Sequence, residues 1–325
     1  MKIAVIGLGS MGKRRITLMK KEYKDIIIYA IDSNLDRRNQ IKEKLNVEVY
    51  SQLDEIADIV ALDAAIICTP PNTHADIILK CLDYRLSIFA EINLISDRYD
   101  EIIKKAEENK CKLFLSSTPM YRKEMEYITR NVKKSEKRLN YAYHIGQYLP
   151  DWHPWESYKD FFVGNKKTNG CREIFAIELP WILNAFGEVS SISVSKSKNT
   201  DLDIDYDDNY IVTLNHITGH KGVMIVDVVS RKAVRLLEVF GEELYIDWKG
   251  TPTSLNHYNF ESKEDNNIVL YTNEQKNENY AKFVIENAYL DEIKDFMDYL
   301  EDKSTPRYSF EKDIKILNLI NQIEN

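Results

Sequence analysis

The clearest chemistry in the chain sits at its amino terminus. An apolar run, Lys2-Ile3-Ala4-Val5-Ile6, leads directly into Gly7-Leu8-Gly9-Ser10-Met11-Gly12, a Gly-x-Gly-x-x-Gly pattern. Gly7 allows a tight turn, Gly9 lets the backbone come close to a diphosphate, and Gly12 lets the following helix pack on the strand. Backbone N–H groups at the helix start, around Ser10 and Met11, would face the phosphates, helped by the helix dipole. A second apolar run, Ile26–Ile31, ends in Asp32, placed to hold the ribose hydroxyls of an adenosine. Asp32 would repel a 2′-phosphate, which favours NAD over NADP; Arg37 and Arg38 could help a phosphate only by folding back. Gly7 to Lys13 also fits Gly-x-x-x-x-Gly-Lys, but Arg14 stands where a P-loop needs Ser or Thr for Mg²⁺.

These groups need strands and helices to hold them. Strands are expected at 2–7, 26–31, 64–68, 86–90 and 112–116, with amphipathic helices between them, as at 73–82 and 99–109. Such alternation predicts an α/β Rossmann domain over 1–118, with ligands at the carboxyl ends of the strands. Those ends carry Gly7, Asp32, Thr69-Pro70-Pro71-Asn72 and Glu91. From 119 the pattern changes to strand-like runs joined by short turns: 139–147, 190–196, 209–217, 221–229, 232–240 and 243–248. Residues 119–325 are therefore expected to form an α+β domain with an open, mainly antiparallel sheet and closing carboxy-terminal helices at 288–301 and 310–323. A helix over 174–186 should end at Gly187, with Pro180 either kinking it or starting it.

The composition is that of a globular protein of about two domains, with 325 residues, 44% hydrophobic and 30% charged. A formal charge of −8 gives no footprint for nucleic acid. No apolar run approaches the roughly 18 residues of a membrane span. Met1-Lys2 runs straight into the first strand, so no signal peptide and a cytoplasmic location are expected. The four scattered cysteines do not suggest a disulfide framework. No metal site is expected: the His216/His220 pair flanks a hairpin turn, and the Asp201–Asp207 run lacks the glycine and closing glutamate of a calcium loop.

Taken together, Gly7–Gly12, Cys68-Thr69-Pro70-Pro71-Asn72-Thr73-His74 and Ala90-Glu91-Ile92-Asn93-Leu94 resemble the Gfo/Idh/MocA oxidoreductases. The resemblance implies a nucleotide domain followed by an open-sheet substrate domain, commonly paired through that sheet as a homodimer or higher homo-oligomer. It implies NAD or NADP held by Gly7, Gly9, Ser10, Met11, Gly12, Asp32, Thr69, Pro70, Asn72, His74 and Glu91. His74 is expected to order its loop rather than to perform chemistry. The reaction implied is oxidation or reduction of a hydroxyl or keto group on a sugar, cyclitol or nucleotide sugar. The run from Asp151 to Trp181 further resembles a branch of surface-polysaccharide biosynthesis.

The chain departs from the family where protons move. Ile92 stands in place of the lysine of Glu-Lys-Pro. In the second motif Glu173 replaces the aspartate and Ile177 the histidine. Candidates to take over the proton are Glu178, Glu173 and His153, each of which could instead pack or pair structurally. The six aromatics between Tyr148 and Phe162 suit either sugar stacking or a core. Two alternatives stay open: a nucleotide-binding sensor without hydride transfer, and a tightly held NAD serving a net non-redox reaction.

Overall fold

The computed structural model describes residues 1–152, 157–272 and 285–325, which divide into two compact units. One comprises Met1–Thr118 and Tyr289–Lys315, the other Pro119–Ala288 and Ile316–Asn325.

The first unit is built from β1 (Lys2–Ile6), α1 (Ser10–Glu22), β2 (Ile27–Ile31), α2 (Leu35–Leu45), β3 (Glu48–Tyr50), β4 (Ala64–Ile67), α3 (His74–Asp83), β5 (Ser87–Ala90), α4 (Tyr99–Asn109) and β6 (Leu113–Leu115). Its sheet is parallel throughout, in the order β3-β2-β1-β4-β5-β6. The order reverses beside β1, the crevice where such sheets bind ligands. Ile3–Ile6 and Ala64–Ile67 are buried, the run of apolar residues that a sheet covered on both faces requires. The short β3 escaped the sequence reading because Glu48-Val49-Tyr50 has no apolar run to mark it.

The second unit holds α5 (Lys123–Lys134), β7 (Asn140–Gly146), α6 (Gly170–Phe186), β8 (Val189–Ser197), β9 (Asn209–His216), β10 (Lys221–Asp227), β11 (Val234–Phe240), β12 (Tyr245–Trp248), β13 (Leu255–Asn259) and β14 (Glu264–Asn267). Its sheet runs β14-β13-β12-β11-β7-β10-β9-β8 and is mainly antiparallel, with β7 and β10 the parallel pair. One face, with Tyr141, Tyr143, Val212, Met224, Leu237, Val239 and Trp248, is buried. On the other, the register aligns Ile211, Ile225, His144 and Leu236 across four strands, and Ile211 and Leu236 are 44% and 45% exposed. α6 is capped by Asn169, whose side chain accepts from Arg172 N, and carries Pro180 inside it. Pro180 therefore neither starts nor ends this helix.

The chain closes with α7 (Glu286–Leu300) and α8 (Phe310–Glu324). The sequence reading gave both to the second domain, whereas Tyr289–Lys315 clusters with the first unit. The reason is packing: Phe296 meets Phe89 and Phe114 edge-on at 5.3 and 5.5 Å between ring centres. Among the described residues no helix is long and apolar enough to cross a membrane, and no group of His, Cys, Asp and Glu is arranged to hold a metal ion.

Candidate functional site

The turn after β1 is shaped by its glycines in three different ways. Gly7 has φ of +94°, and a β-carbon there would lie 2.7 Å from the Cys68 carbonyl group. A β-carbon on Gly12 would lie 1.9 Å from Gly7 O, so α1 could not approach the turn. Gly9, the α1 N-cap, has φ of −70° and no neighbour within 4 Å of such a carbon. Neither strain nor the fold demands glycine at 9. The open space lies at the N-cap of α1, which fits a diphosphate approaching the backbone at a helix start.

Asp32 ends β2 beside this turn. Its Oδ2 accepts from Leu8 N at 2.7 Å and its Oδ1 from Asn34 N at 2.8 Å. Arg37 Nη1 stands 3.6 Å from Asp32 Oδ2, while Arg38 donates to the carbonyls of Asp32 and Ser33. Arg37 is half-exposed and folds back toward the Asp32 carboxylate.

After β4, Thr69 and Pro70 lead into a turn in which Thr73 Oγ1 donates to Thr69 Oγ1. Asn72 is exposed and His74 is buried. His74 Nε2 donates to Thr69 O at 2.7 Å, and Nδ1 meets the Asn93 side-chain amide. Burial pushes the imidazole below its ordinary value, so the ring is neutral and Nδ1 accepts. An amide turned to donate from Nδ2 supplies that proton, and relieves an Asn93 Nδ2 otherwise buried without a partner. His74 thus ties the Thr69 loop to the segment after β5.

Glu91 follows β5 and is held by a group the sequence reading missed. Arg15, fully buried in α1, donates from Nε to Glu91 Oε1 at 2.6 Å and from Nη2 to Glu292 Oε2 at 2.6 Å. Ser116 Oγ, Ser117 N and Thr118 Oγ1 complete the shell of Glu292. The signal was available. Arg15 falls between Gly12 and Met19 on the buried stripe of α1, and Glu292 between Ala288 and Phe296 on that of α7. A charge in an apolar stripe calls for a partner.

In the second unit the three proton-transfer candidates part company. Glu178 is fully buried and takes three donors: Oε2 accepts from Tyr143 Oη and Trp181 Nε1, both at 2.7 Å, and Oε1 from Arg235 Nη2 at 2.5 Å. It is an interior ion pair. Glu173 is the opposite case, with Oε2 buried and no hydrogen-bond partner among the described residues. Burial alone pushes its carboxyl up to about 7. Ile177 lies one turn further along the same face of α6. His153 lies outside the described residues, as does Trp155. Of the aromatic loop, Trp152 donates to Gln147 O and Tyr148 lies under Arg231, so both rings serve the protein itself.

Residues 1–117 match the oxidoreductase family, NAD-binding Rossmann fold, of the Gfo/Idh/MocA type. The match covers the nucleotide-binding part of the chain, 117 of its 325 residues. Myo-inositol 2-dehydrogenase from Thermotoga maritima is 37% identical over 114 residues, 33% of this chain and 34% of that enzyme. The alignment therefore spans about a third of this curated relative. UDP-N-acetylglucosamine 3-dehydrogenase from Acidithiobacillus ferrooxidans superposes with a TM-score of 0.77 at 16% identity, covering 100% of this chain and 96% of the other. An oxidoreductase from Agrobacterium radiobacter, solved with NAD⁺, L-tartaric acid and magnesium, gives a TM-score of 0.81 at 12% identity, covering 98% and 94%. At these identities the superpositions establish a shared two-domain fold. Glu173 and Ile177 lie on α6, and Glu91 directly follows β5.

Proposed function

We propose that the chain is a pyridine-nucleotide-dependent oxidoreductase that acts on a hydroxyl or keto group of a sugar or nucleotide-linked sugar, with Glu173 moving the proton. The observation that carries this reading is Glu173 Oε2, buried and without a hydrogen-bond partner among the described residues, on a carboxyl that burial pushes up to about 7. A carboxyl poised close to the working pH is what a general acid or base requires. Glu178 is not assigned this role, because its carboxylate is fully buried and held by three protein donors, Tyr143, Trp181 and Arg235.

When bound, the dinucleotide supplies the hydride acceptor or donor. The open shelf at Gly9 with the α1 N-terminus would hold its diphosphate, and Asp32 its adenosine ribose, which favours NAD. Thr69, Pro70, Asn72 and Glu91 would line the remainder, with Ser10 and Met11 at the helix start; His74 keeps the Thr69 loop in place. In oxidation Glu173 takes the hydroxyl proton, and in reduction it returns one to the new alkoxide. With isoleucine at 177, one turn along α6, this carboxyl has no cationic assistant at that position.

Inositol and nucleotide-sugar dehydrogenases among the similar proteins support the substrate class, and a nucleotide sugar used in surface polysaccharide is the specific substrate we favour. A cytoplasmic location and pairing through the exposed face of the eight-stranded sheet complete the reading. Ile92 and Ile177 favour a second one, a coenzyme-binding protein without turnover. One assay separates them: purified protein with NAD⁺ and a panel of nucleotide sugars, followed by NADH absorbance and product mass. The first reading expects NADH formation that falls about 10²-fold in Glu173→Gln. Bound coenzyme with no converted sugar would favour the second.

A further inference from the structure

The carboxyl end of β5 carries an unbalanced charge. Arg15 is the single guanidinium between Glu91 and Glu292, each 2.6 Å from it. Glu292 is ionised despite a burial that pushes its carboxyl up, as its donors show. Ser116 Oγ accepts from Arg15 Nη2 and so turns its proton to Glu292, and Ser117 N–H is a fixed donor. Burial opposes the Arg15 charge, but the two carboxylates outweigh it and hold the guanidinium protonated.

Among the described residues no further cation answers the second carboxylate. The nearby Cys68 thiol is pushed up by burial and the His74 ring down, so both are neutral. Arg14 stacks over Tyr289 and donates to Met11 Sδ; it bonds neither carboxylate. Ile92, next in the chain, supplies no charge.

Glu91 is the member of the pair that reaches the strand ends. Its side chain keeps 10% exposure where Glu292 keeps none, and its Oε2 accepts no hydrogen bond within the described residues. Strand order then fixes what lies there. With the adenosine end at Asp32 on β2 and the diphosphate after β1, a dinucleotide laid across the sheet continues past β4 to β5. The nicotinamide ring at that end is cationic when oxidised and neutral when reduced.

We infer that Glu91 sets the redox preference of coenzyme binding: the surplus carboxylate at the end of β5 selects the oxidised, cationic nicotinamide. The inference rests on the coenzyme site proposed above. It makes Glu91 a specificity residue for the charge state of the coenzyme, with Arg15 positioning it.

The test is calorimetric titration of the intact coenzyme-free protein with NAD⁺ and, separately, NADH. Wild-type protein is expected to bind NAD⁺ the more tightly. Glu91→Gln keeps an acceptor for Arg15 while removing the charge; it is expected to weaken NAD⁺ about tenfold and NADH less than about twofold. Ile92→Lys, which places a cation beside Glu91, should move the ratio the same way and gives a second reading should Glu91→Gln fold poorly. Equal weakening of both coenzymes, or an unchanged ratio in both variants, overturns the inference while leaving the coenzyme site standing. Uptake of neither coenzyme by folded wild-type protein overturns the site itself and this inference with it.

Discussion

Glu173 and Glu178 share a helix yet have opposite environments, and the cause is angular. At about 100° per residue, Glu173 and Ile177 lie on one face while Glu178 turns away from both. Adjacency to Ile177 in the sequence made Glu178 a candidate, but Tyr143, Trp181 and Arg235 decide its role, and these come from 35, 3 and 57 residues away. No local pattern reports such partners. The Glu173 environment gives a testable pH dependence. Folded Glu173 keeps its proton to about pH 7, against an ordinary value of 4.5. The folded chain therefore binds the extra proton between those values, and stability falls as pH rises through that window and stays lower above it. In coenzyme-free protein, Glu173→Gln should match wild type near pH 4.5 and exceed it at pH 8 by up to about 3 kcal/mol in urea unfolding. Equal stability at pH 8 would mean that the carboxylate is solvated or paired. In turnover, the oxidation rate should rise through about pH 7 and the reduction rate should fall.

At the level of elements, the first unit was legible because its signals are local. The glycine turn, the apolar runs of β1, β2, β4 and β5, and Asp32 each read from a few consecutive residues. The second unit was less so. α5 was missed although Met125, Ile128 and Val132 form a helical stripe, and β13 and β14 were missed because both are short and mostly polar, without apolar alternation. The parallel pairing of β7 with β10 joins residues about 81 apart, which spacing alone does not encode. α6 shows why its polar interior matters: Glu178 anchors it to Arg235 on β11. Glu178→Ala should cost about 3–5 kcal/mol in denaturant unfolding by stranding a buried guanidinium. Replacing both partners with Leu and Met should recover most of that loss. A cost under about 1 kcal/mol for the single variant would show that the pair is solvated.

For the whole molecule, the exposed sheet face bears on assembly. Ile211, Leu236 and Phe240 are 44%, 45% and 39% exposed on strands whose opposite face is buried core. Apolar side chains exposed on a sheet face are a feature of protein interfaces. Sedimentation should find a dimer in wild type and a folded monomer in Leu236→Asp; a monomeric wild type would remove pairing from the account.

The central claim, that the first unit holds a pyridine dinucleotide with its diphosphate on the Gly9 shelf, is tested most directly by titrating wild type and Gly9→Ala with NADH. Gly9 has no strain and no neighbour to displace, so the variant should melt with wild type. The account predicts saturable binding at one site per chain in wild type, weakened at least about tenfold in Gly9→Ala, where a methyl group meets the phosphates. Binding of equal strength in both proteins, or none in folded wild type, would contradict it.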